Sequence, residues 1–511
     1  MFQRLTTQTL RNDACQKIRA LISAHAEWFC TSANDRTLLL RKKEIDLSIL
    51  QQRLVLTCWT ERGSQSWRIL GWQMNGESLL LQASRRMGAE RPLIELVPRA
   101  AASAIAATIR AARQQRCDRL AQLACSAQLD TRIERSALSP GIRKGQPGRY
   151  ARILLKRKRG RLAVTGLVVS SQPSAVDAFL SSALLWFKRT AERIRPPYVE
   201  QLWLAVPRTM LQALLPRVAL LRESLKQIIV VFVVDDGLSS LELINCPDRD
   251  ALWKKRLARF PPVPPAQMTE ETLNIVAEAP DSIDVVHALQ GETLRYLGLP
   301  FARVRTLLDV TRVWFGVSGS PRRLLDDSTT HDWKNLLSDL RQYRSAEAPD
   351  HRNALYATAA EAWLESMLRR DITRLDPGLI IAPLHAQFRT ARGGKLGIRP
   401  IDMLALRQDG RLVVIELKVA ADREHVLQGA DYWRRVEAHR RRGHIAGAKL
   451  FGDRIIRNET PLVYLVAPTL RVHPSFQTLA RCIANDIEIY RFDINEDWRS
   501  GVRVMRRIRV N

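Results

Sequence analysis

A short apolar segment that carries two charged residues constrains the fold of this chain more than any other feature. Residues 410–418 read GRLVVIELK, and the Asp409-Gly410 pair at their start is typical of a tight hairpin turn. Side chains alternate between the two faces of a strand, so Glu416 and Lys418 share one face while the leucine between them points into the core. The sequence therefore predicts a core strand with two charges on one face.

A second carboxylate is predicted to lie beside this pair. Asp402 is on the preceding strand, and the hairpin brings it alongside Glu416. Two carboxylates this close repel each other unless a cation lies between them. Oxygen ligands of this kind suit Mg²⁺ or Mn²⁺, which complete their coordination with water and phosphate oxygens. A lysine beside such a metal, here Lys418, holds and polarises an attacking water, and the metal acts as a Lewis acid.

The helices on either side of the hairpin contribute further candidates. Glu361 and Glu365 are one helical turn apart on the preceding helix, and Glu365 is the first choice for an accessory acid, with Glu361 as the alternative. The following helix, predicted over residues 422–442, places Gln428 and Tyr432 on one side.

The same helix is rich in residue types that contact nucleic acid. An aromatic ring beside guanidinium groups suits phosphate contacts and base stacking. The candidate DNA-binding residues are Trp433, Arg434, Arg435, Arg440, Arg441 and Arg442.

This set of residues resembles the PD-(D/E)xK nuclease superfamily, and within it the RecB-like exonuclease group, over about residues 355–470. The matching residues are Asp402, the Glu416-Leu417-Lys418 triplet, an upstream helical glutamate and the Gln428-x-x-x-Tyr432 motif. The resemblance implies that Asp402, Glu416 and Glu365 are metal ligands for Mg²⁺ or Mn²⁺ and that Lys418 is the catalytic lysine. It also implies that Gln428 and Tyr432 order the site and the DNA.

The sequence departs from the family pattern at one position and lacks one feature that some relatives have. Ile401 precedes Asp402 where many relatives have proline, although Pro400 is adjacent. Some RecB-like relatives hold a four-cysteine iron–sulfur cluster. Cys482 is the one cysteine near this region, so no cluster is expected.

Simpler interpretations of the same residues stay open. Glu416 and Lys418 are also compatible with a surface salt bridge, but that leaves unexplained why two charges interrupt an apolar strand. Gln428 and Tyr432 are also compatible with one face of a plain amphipathic helix. Histidines at 425, 439 and 444 are candidate general bases, but exposed helix histidines are commoner and the nuclease chemistry requires none of them.

Composition narrows the class of partner. Lys plus Arg number 80 against 52 Asp plus Glu, a formal charge of +28, which favours nucleic acid or, second, an anionic membrane surface. A generally basic proteome is the alternative. The longest apolar run, residues 228–234, is too short to span a membrane. The first residues lack a secretion signal, and seven cysteines without a C-x-x-C pair predict reduced thiols and a cytoplasmic protein.

The chain is predicted to be a multidomain α+β protein. Its C-terminal core is expected to be restriction-endonuclease-like, α/β, with a central mixed sheet flanked by helices. The predicted domains are a β-rich N-terminal module (1–98, with an Asn75-Gly76 hairpin turn), an α/β domain (99–259), a helical connecting region (266–345) and the nuclease domain (351–511). A proline-rich segment, 260–265, marks one boundary.

The α/β domain contains an echo of the nuclease domain. Residues 160–164, GRLAV, align with 410–414, GRLVV, and on that offset Arg152, Gly166 and Val168 take the places of the two carboxylates and the lysine. We hypothesise a degenerate nuclease-like copy that has lost its metal site. Hairpin–helix–strand units are common in proteins, so the alternative is that the two segments are alike without a duplication.

The expected function is metal-dependent hydrolysis of phosphodiester bonds in DNA, in repair, recombination or defence. The alternatives are a nuclease acting on RNA and a non-catalytic DNA-binding or scaffold protein that retains the fold. The sequence leaves open the strandedness of the substrate, endo- or exonucleolytic cutting, the role of residues 1–350 and the oligomeric state, a homodimer included.

Overall fold

The computed structural model describes most of the 511-residue chain. It describes residues 2–511 except 32–36, 61–62, 86–89, 102–103, 142–146, 170–174, 195, 197, 236, 255, 261–266, 289–290, 308–309, 318–321 and 391–398. The proline-rich segment predicted as a boundary therefore falls almost wholly outside the described residues.

The chain is a mixed α/β protein whose described residues form four sheets in two compact units. The first unit comprises Met1–Gln172, Trp186–Leu211 and Gln227–Asn245. The second comprises Pro173–Leu185, Gln212–Lys226 and Cys246–Asn511. None of the described helices is long and apolar enough to cross a membrane. The division into four domains stays a prediction.

The N-terminal part is β-rich, as predicted. Its elements are β1 (Gln3–Arg4), α1 (Gln8–Ala24), β2 (Glu27–Thr31), β3 (Thr37–Arg41), β4 (Ile45–Leu50), β5 (Arg53–Thr60), β6 (Gly63–Asn75), β7 (Ser78–Ser84) and β8 (Leu93–Pro98). The sheet is antiparallel, in the order β3-β2-β8-β7-β6-β5-β4, with β1 on β6. The predicted hairpin turn is present, since Asn75 pairs with Ser78 and Gly76 has a φ of 58°.

The middle sheet has six strands in sequence order. Its elements are α2 (Ala104–Ser126), β9 (Arg132–Pro140), β10 (Pro147–Lys156), β11 (Arg161–Leu167), α3 (Val176–Arg193), β12 (Val199–Pro207), α4 (Arg208–Val218), α5 (Glu223–Lys226), β13 (Ile229–Val234) and β14 (Leu241–Ile244). Strands β11, β12 and β13 are parallel, and the outer pairings are antiparallel. The predicted α/β character of this part of the chain is confirmed, since strands and helices alternate from β11 to β13.

The prediction that residues 266–345 are mainly helical is wrong. The elements between the middle sheet and the C-terminal sheet are α6 (Arg249–Lys254), α7 (Glu270–Ala277), β15 (Ile283–Ala288), β16 (Gly291–Tyr296), β17 (Leu299–Leu307), β18 (Val310–Phe315), β19 (Arg323–Leu324), α8 (Thr330–Tyr343) and α9 (Ala354–Ala357), of which α7 to α8 lie within residues 266–345. The five strands form an antiparallel sheet. Buried and half-buried positions alternate along β16, which is the period of a strand and not of a helix.

The C-terminal sheet is a mixed sheet with helices on both faces. Its elements are α10 (Ala360–Arg370), β20 (His385–Phe388), β21 (Ile401–Leu406), β22 (Leu412–Leu417), α11 (His425–Arg440), α12 (His444–Gly447), β23 (Leu462–Pro468), α13 (Phe476–Ala480), β24 (Ile489–Ile494) and β25 (Val504–Arg509). Trp363 of α10 belongs to the core on one face with Ile415, and Tyr432 of α11 to the core on the other with Val414.

The hairpin that carries the predicted site forms as expected. Met403 pairs with Ile415 across antiparallel β21 and β22, and continuing this register by one step places Asp402 opposite Glu416. Gly410 adopts a φ of 84° in the turn, a conformation that side chains rarely tolerate. Strand β22 then pairs in parallel with β23, so it lies in the interior of the sheet.

The middle and C-terminal sheets share one topology. Each has six strands in sequence order, with antiparallel pairing between the first three, parallel pairing between the third, fourth and fifth, and an antiparallel sixth. A helix joins each third strand to its fourth, α3 in one sheet and α11 in the other. The duplication hypothesis requires this agreement.

The register corrects the detail of that hypothesis. Gly166, at the place of Glu416, pairs with Ala151, so Ala151 and not Arg152 occupies the place of Asp402. The simple offset gave the wrong residue because the β10–β11 hairpin is longer than the β21–β22 hairpin.

Candidate active site

Two carboxylates face each other at the end of the hairpin. Asp402 accepts a hydrogen bond through Oδ2 from the backbone N–H of Leu417 at 2.9 Å, which fixes its side chain against the neighbouring strand. Glu416 is only 1% exposed, in a strand whose other residues are apolar and buried. The structure therefore brings together the pair that the sequence predicted.

Lys418 is held by two acidic side chains. Its Nζ lies 2.8 Å from Oε1 of Glu416 and 3.8 Å from Oε2 of Glu361. Its own backbone N–H donates to Val466 on β23 at 2.9 Å. Burial lowers the pKa of Lys418, but Glu416 and Glu361 outweigh burial, so the pKa lies above its ordinary value. The lysine is therefore a fixed cation at neutral pH.

The charge on Glu416 is poorly compensated. Burial and, after it, the nearby Asp402 carboxylate raise the pKa of Glu416 well above its ordinary value, despite the opposing effect of Lys418. Among the described residues its buried Oε2 has no hydrogen-bond partner. A buried, unpartnered carboxylate oxygen is costly, and a cation beside it would offset the cost.

Both predicted accessory acids lie close to this pair. Burial raises the pKa of Glu361 and of Glu365, and Asp402 contributes to raising both. Glu365 is buried and accepts a hydrogen bond from Gln387 of β20 at 2.6 Å. Glu361 faces Lys418, so the two glutamates have different neighbours, and each stays a candidate.

The donor set fits a hard cation such as Mg²⁺ by its chemistry. Asp402, Glu416 and the α10 glutamates offer carboxylate oxygens, one of them buried without a partner. Within the part of the chain that the structure describes, no three His, Cys, Asp or Glu side chains are gathered as a metal site. What the structure brings together is the pair Asp402–Glu416, with the glutamates nearby.

Gln428 positions the buried glutamate. In the amide orientation that satisfies both ends, its nitrogen donates to Glu416 Oε1 at 3.0 Å and its oxygen accepts from Arg399 Nη1 at 2.8 Å. Tyr432, one turn further along α11, is buried, with the guanidinium of Arg435 over its ring at 4.5 Å. Both side chains are enclosed, Gln428 against Glu416 and Tyr432 against Arg435.

His425 is closer to the site than the sequence indicated. The expectation of exposed helix histidines is wrong for His425 and His439, which are buried, while His444 is half-buried. His425 Nε2 lies 3.2 Å from the backbone oxygen of Glu416, and its ring meets Phe476 edge-on at 5.9 Å. Burial and then Lys418 lower the pKa of His425 to about 3. The imidazole is therefore neutral and donates to the carbonyl that precedes Leu417.

Two of the predicted DNA-binding residues are in the core. Trp433 is 1% exposed and donates through Nε1 to the backbone oxygen of Pro461 at 2.9 Å. Arg435 is also buried and donates to the backbone oxygen of Arg399 at 2.8 Å. Trp433 is the last of the nine residues over which α11 is enclosed on every side, and Arg435 is buried two residues further on, so neither side chain offers a surface for DNA in this structure.

The remaining arginines of α11 make contacts within the protein. Arg434 pairs with Asp431 at 2.6 Å, and Arg440 and Arg441 both pair with Glu437 at 2.6 Å. Arg442 donates to backbone oxygens of Ala438 and Trp253. Arg441 remains the most accessible, with its side chain 45% exposed. These pairings reduce, but do not remove, the positive charge offered by this end of the helix.

Several residues that hold the site in place were missed from the sequence. Arg295 of β16 lies 3.7 Å from Glu365, and Gln387 and Arg399 contact Glu365 and Gln428. No local pattern marks these three residues. Since they meet the site through tertiary contacts, sequence spacing carries no signal for them.

The equivalent place in the middle sheet is filled by hydrocarbon. Ala151, Gly166 and Val168 occupy the positions of the two carboxylates and the lysine, and all three are buried. A Cβ on Gly166 would lie 2.5 Å from a methyl group of Leu120 on α2. The described residues of the middle sheet therefore offer no room for a charged pair at this place.

No protein-family model matches the chain, and neither a curated protein nor a solved structure gives a significant match.

Proposed function

We propose that this protein is a metal-dependent deoxyribonuclease of the RecB-like PD-(D/E)xK type, which hydrolyses phosphodiester bonds at the end of β22. The observation that carries the proposal is the buried Asp402–Glu416 pair with Lys418 beside it and an unpartnered Glu416 oxygen. A purely structural salt bridge has no need of the second carboxylate or of the orphaned oxygen.

In this proposal Asp402 and Glu416 hold Mg²⁺ or Mn²⁺, with Glu365 or Glu361 as the accessory acid. When bound, the ion supplies Lewis-acid help and lowers the pKa of a water molecule. The carboxylates are fixed before the substrate arrives, Asp402 by the Leu417 N–H and Glu416 by Gln428 and Lys418. Such preorganisation removes the cost of arranging charged groups during the reaction.

Lys418 acts as a cation and hydrogen-bond donor. Because its pKa lies above the ordinary value, it stays protonated at neutral pH and does not serve as a general base. Its ammonium orients the attacking water and stabilises the negative charge that develops on the phosphoryl oxygens. His425, neutral at this pH, supports the strand through the carbonyl of Glu416 and takes no part in proton transfer.

The substrate we propose is DNA, and the pathway is repair, recombination or defence. The formal charge of +28 favours a polyanion. The cytoplasm is the proposed location, because all seven cysteines are free thiols, which a reducing compartment maintains. The competing role is a scaffold that keeps the fold but has no catalytic activity. It is disfavoured because burying the incompletely paired Glu416 costs free energy that a scaffold has no reason to retain.

The test is cleavage of labelled single-stranded, blunt duplex and flapped DNA, and of RNA, with Mg²⁺ or Mn²⁺ and with chelator. Lys418→Ala is compared with Lys449→Ala, whose lysine is 74% exposed and pairs with Asp453. The proposal expects cutting that requires the metal, is lost in Lys418→Ala and persists in Lys449→Ala. Binding of DNA by all three proteins without cutting of any substrate would favour the scaffold, and cutting of RNA alone would replace DNA as the substrate.

A further inference from the structure

A pocket of about 480 Å³ opens in the second unit, outside the carboxylate site. One wall is α13 with the segment before it, including His473 and Phe476, and the other is formed by β24 and β25, including Arg491, Asp493 and Arg506. The volume is within the range of small-ligand sites, about 300–1,000 Å³.

The pocket lies on the same edge of the sheet as the proposed catalytic groups. Thr469, another lining residue, directly follows β23, so the pocket is at the carboxyl ends of the parallel strands. Ligands of open α/β sheets commonly bind at this edge. His425, which contacts the Glu416 carbonyl, also contacts Phe476 of the pocket wall.

The register gives the separation between the two places. Glu416 pairs with Leu465, and Leu465 pairs with Arg491, so the three side chains share one face and one row. Two strand spacings correspond to about 10 Å. At ~3.4 Å of rise per nucleotide along a strand, this distance is about three nucleotides.

The charges in the pocket favour an anion. Its ionised side chains are two arginines and one aspartate, and Arg491 pairs with Asp493 at 2.8 Å. Arg491 also lies over the Phe476 ring at 5.6 Å, so it is held in place. Arg506 is opposite Asp493 on the edge strand, is exposed, and makes no ion pair with another described residue. It supplies the uncompensated positive charge.

We propose that this pocket binds a phosphate group of the nucleic-acid strand, a few nucleotides from the cleaved bond, through Arg506 with Arg491 behind it. This inference rests on the proposed function, because the neighbouring carboxylate site is what makes a phosphate the expected anion. A phosphodiester within the strand and a monoester at its 5′ end present the same chemistry to the two guanidinium groups.

The test uses the full chain, with Arg506→Ala against Arg503→Ala. Arg503 is on the approach to the same edge strand, is 69% exposed and pairs with Asp497, but does not line the pocket. Each variant loses one positive charge, so a difference between them reports the pocket and not the net charge. Both positions are exposed, so both proteins are expected to fold.

The measurement is the dissociation constant for DNA in chelator, over a range of NaCl concentrations, with linear 5′-phosphorylated, linear 5′-hydroxyl and circular single strands. Arg506→Ala is expected to bind several-fold more weakly than Arg503→Ala, and the slope of its log K against log salt to be smaller in magnitude by about 0.7, the value for one phosphate contact on a single strand. A loss with all three DNAs assigns an internal phosphodiester. A loss with the 5′-phosphorylated strand alone assigns the terminal phosphate.

Equal affinities and equal salt slopes for the two variants would refute phosphate binding by the pocket. Failure of the wild-type protein to bind any of the three DNAs would refute it as well. Because no metal is present, the outcome is independent of cleavage. If the wild type cuts DNA in Mg²⁺ and the two variants have equal salt slopes, the phosphate pocket is refuted and the proposed nuclease is not. If Arg506→Ala has the smaller slope and the wild type cuts no DNA, the nuclease is refuted and the phosphate pocket is not.

Discussion

Replacement of Lys418 by methionine, which keeps the length of the side chain and removes its charge, is expected to destabilise the protein by about 3 kcal/mol. The ammonium lies 2.8 Å from Glu416 Oε1, and Glu416 is 1% exposed. Removing one partner of a buried ion pair typically costs ~3–5 kcal/mol. We expect the lower end of this energy range because Gln428 still donates a hydrogen bond to Glu416 Oε1 in the variant.

The assay is differential scanning calorimetry in chelator, so that bound metal does not contribute. About 3 kcal/mol corresponds to a melting temperature lower by about 6 °C, since a large domain shifts by ~2 °C or more per kcal/mol. Lys449→Met is the control, because its exposed pair with Asp453 should contribute less than ~0.5 kcal/mol. Equal melting temperatures for the two variants would refute a buried pair at Lys418.

Two further predictions follow from the same region. Trp433→Ala should lower the free energy of unfolding by about 4 kcal/mol, as expected when a large aromatic side chain is removed from a core. Its affinity for DNA, measured well below the melting temperature, should equal that of the wild type. Weaker DNA binding in a variant of unchanged stability would instead place Trp433 at the DNA interface. Mg²⁺ should raise the melting temperature of the wild type, by the equivalent of about 2.7 kcal/mol at a concentration a hundredfold above its dissociation constant. The increase should be smaller for Asp402→Asn, because this variant lacks one of the proposed ligands. Identical increases for the two proteins would show that the ion binds elsewhere.

The hairpin and its charged residues were predictable because each rests on a local rule. A turn signal at Asp409-Gly410, the period-two alternation and an apolar run together define two paired strands. The same rules place Glu416 and Lys418 on one face and Asp402 opposite. Local information was therefore sufficient for the pair of carboxylates and the lysine that holds one of them.

Tertiary burial explains why helix α11 was misjudged. Its sequence is polar, with Trp433 beside several arginines, and such a helix is typical of a solvated surface. In the fold it is largely enclosed, and each of its two buried acidic residues pairs with more than one arginine, as Asp431 does with Arg217 and Arg434. Charged side chains held by such ion pairs are compatible with burial, and the contribution of Arg217 lies too far away in the sequence to be recognised.

The five-stranded sheet was missed for a related reason. Its strands alternate apolar residues with arginines, such as Arg295, Arg303 and Arg305. The turn between β16 and β17 consists of Leu297 and Gly298, whose φ values of 41° and 80° permit a tight hairpin. That hairpin is also what brings Arg295 to within 3.7 Å of Glu365.

The central claim is tested most directly by the rate of phosphodiester cleavage at saturating Mg²⁺ in wild type, Lys418→Ala and Lys449→Ala, on the DNA that the wild type cuts best. Loss of one preorganised donor to a developing oxyanion typically lowers the rate by about a hundredfold to a thousandfold. The account predicts a fall of that size for Lys418→Ala, no fall for Lys449→Ala and no cutting by any of the three in chelator. Equal rates for the two variants, or cutting that persists in chelator, would contradict a metal-dependent site built on Asp402, Glu416 and Lys418.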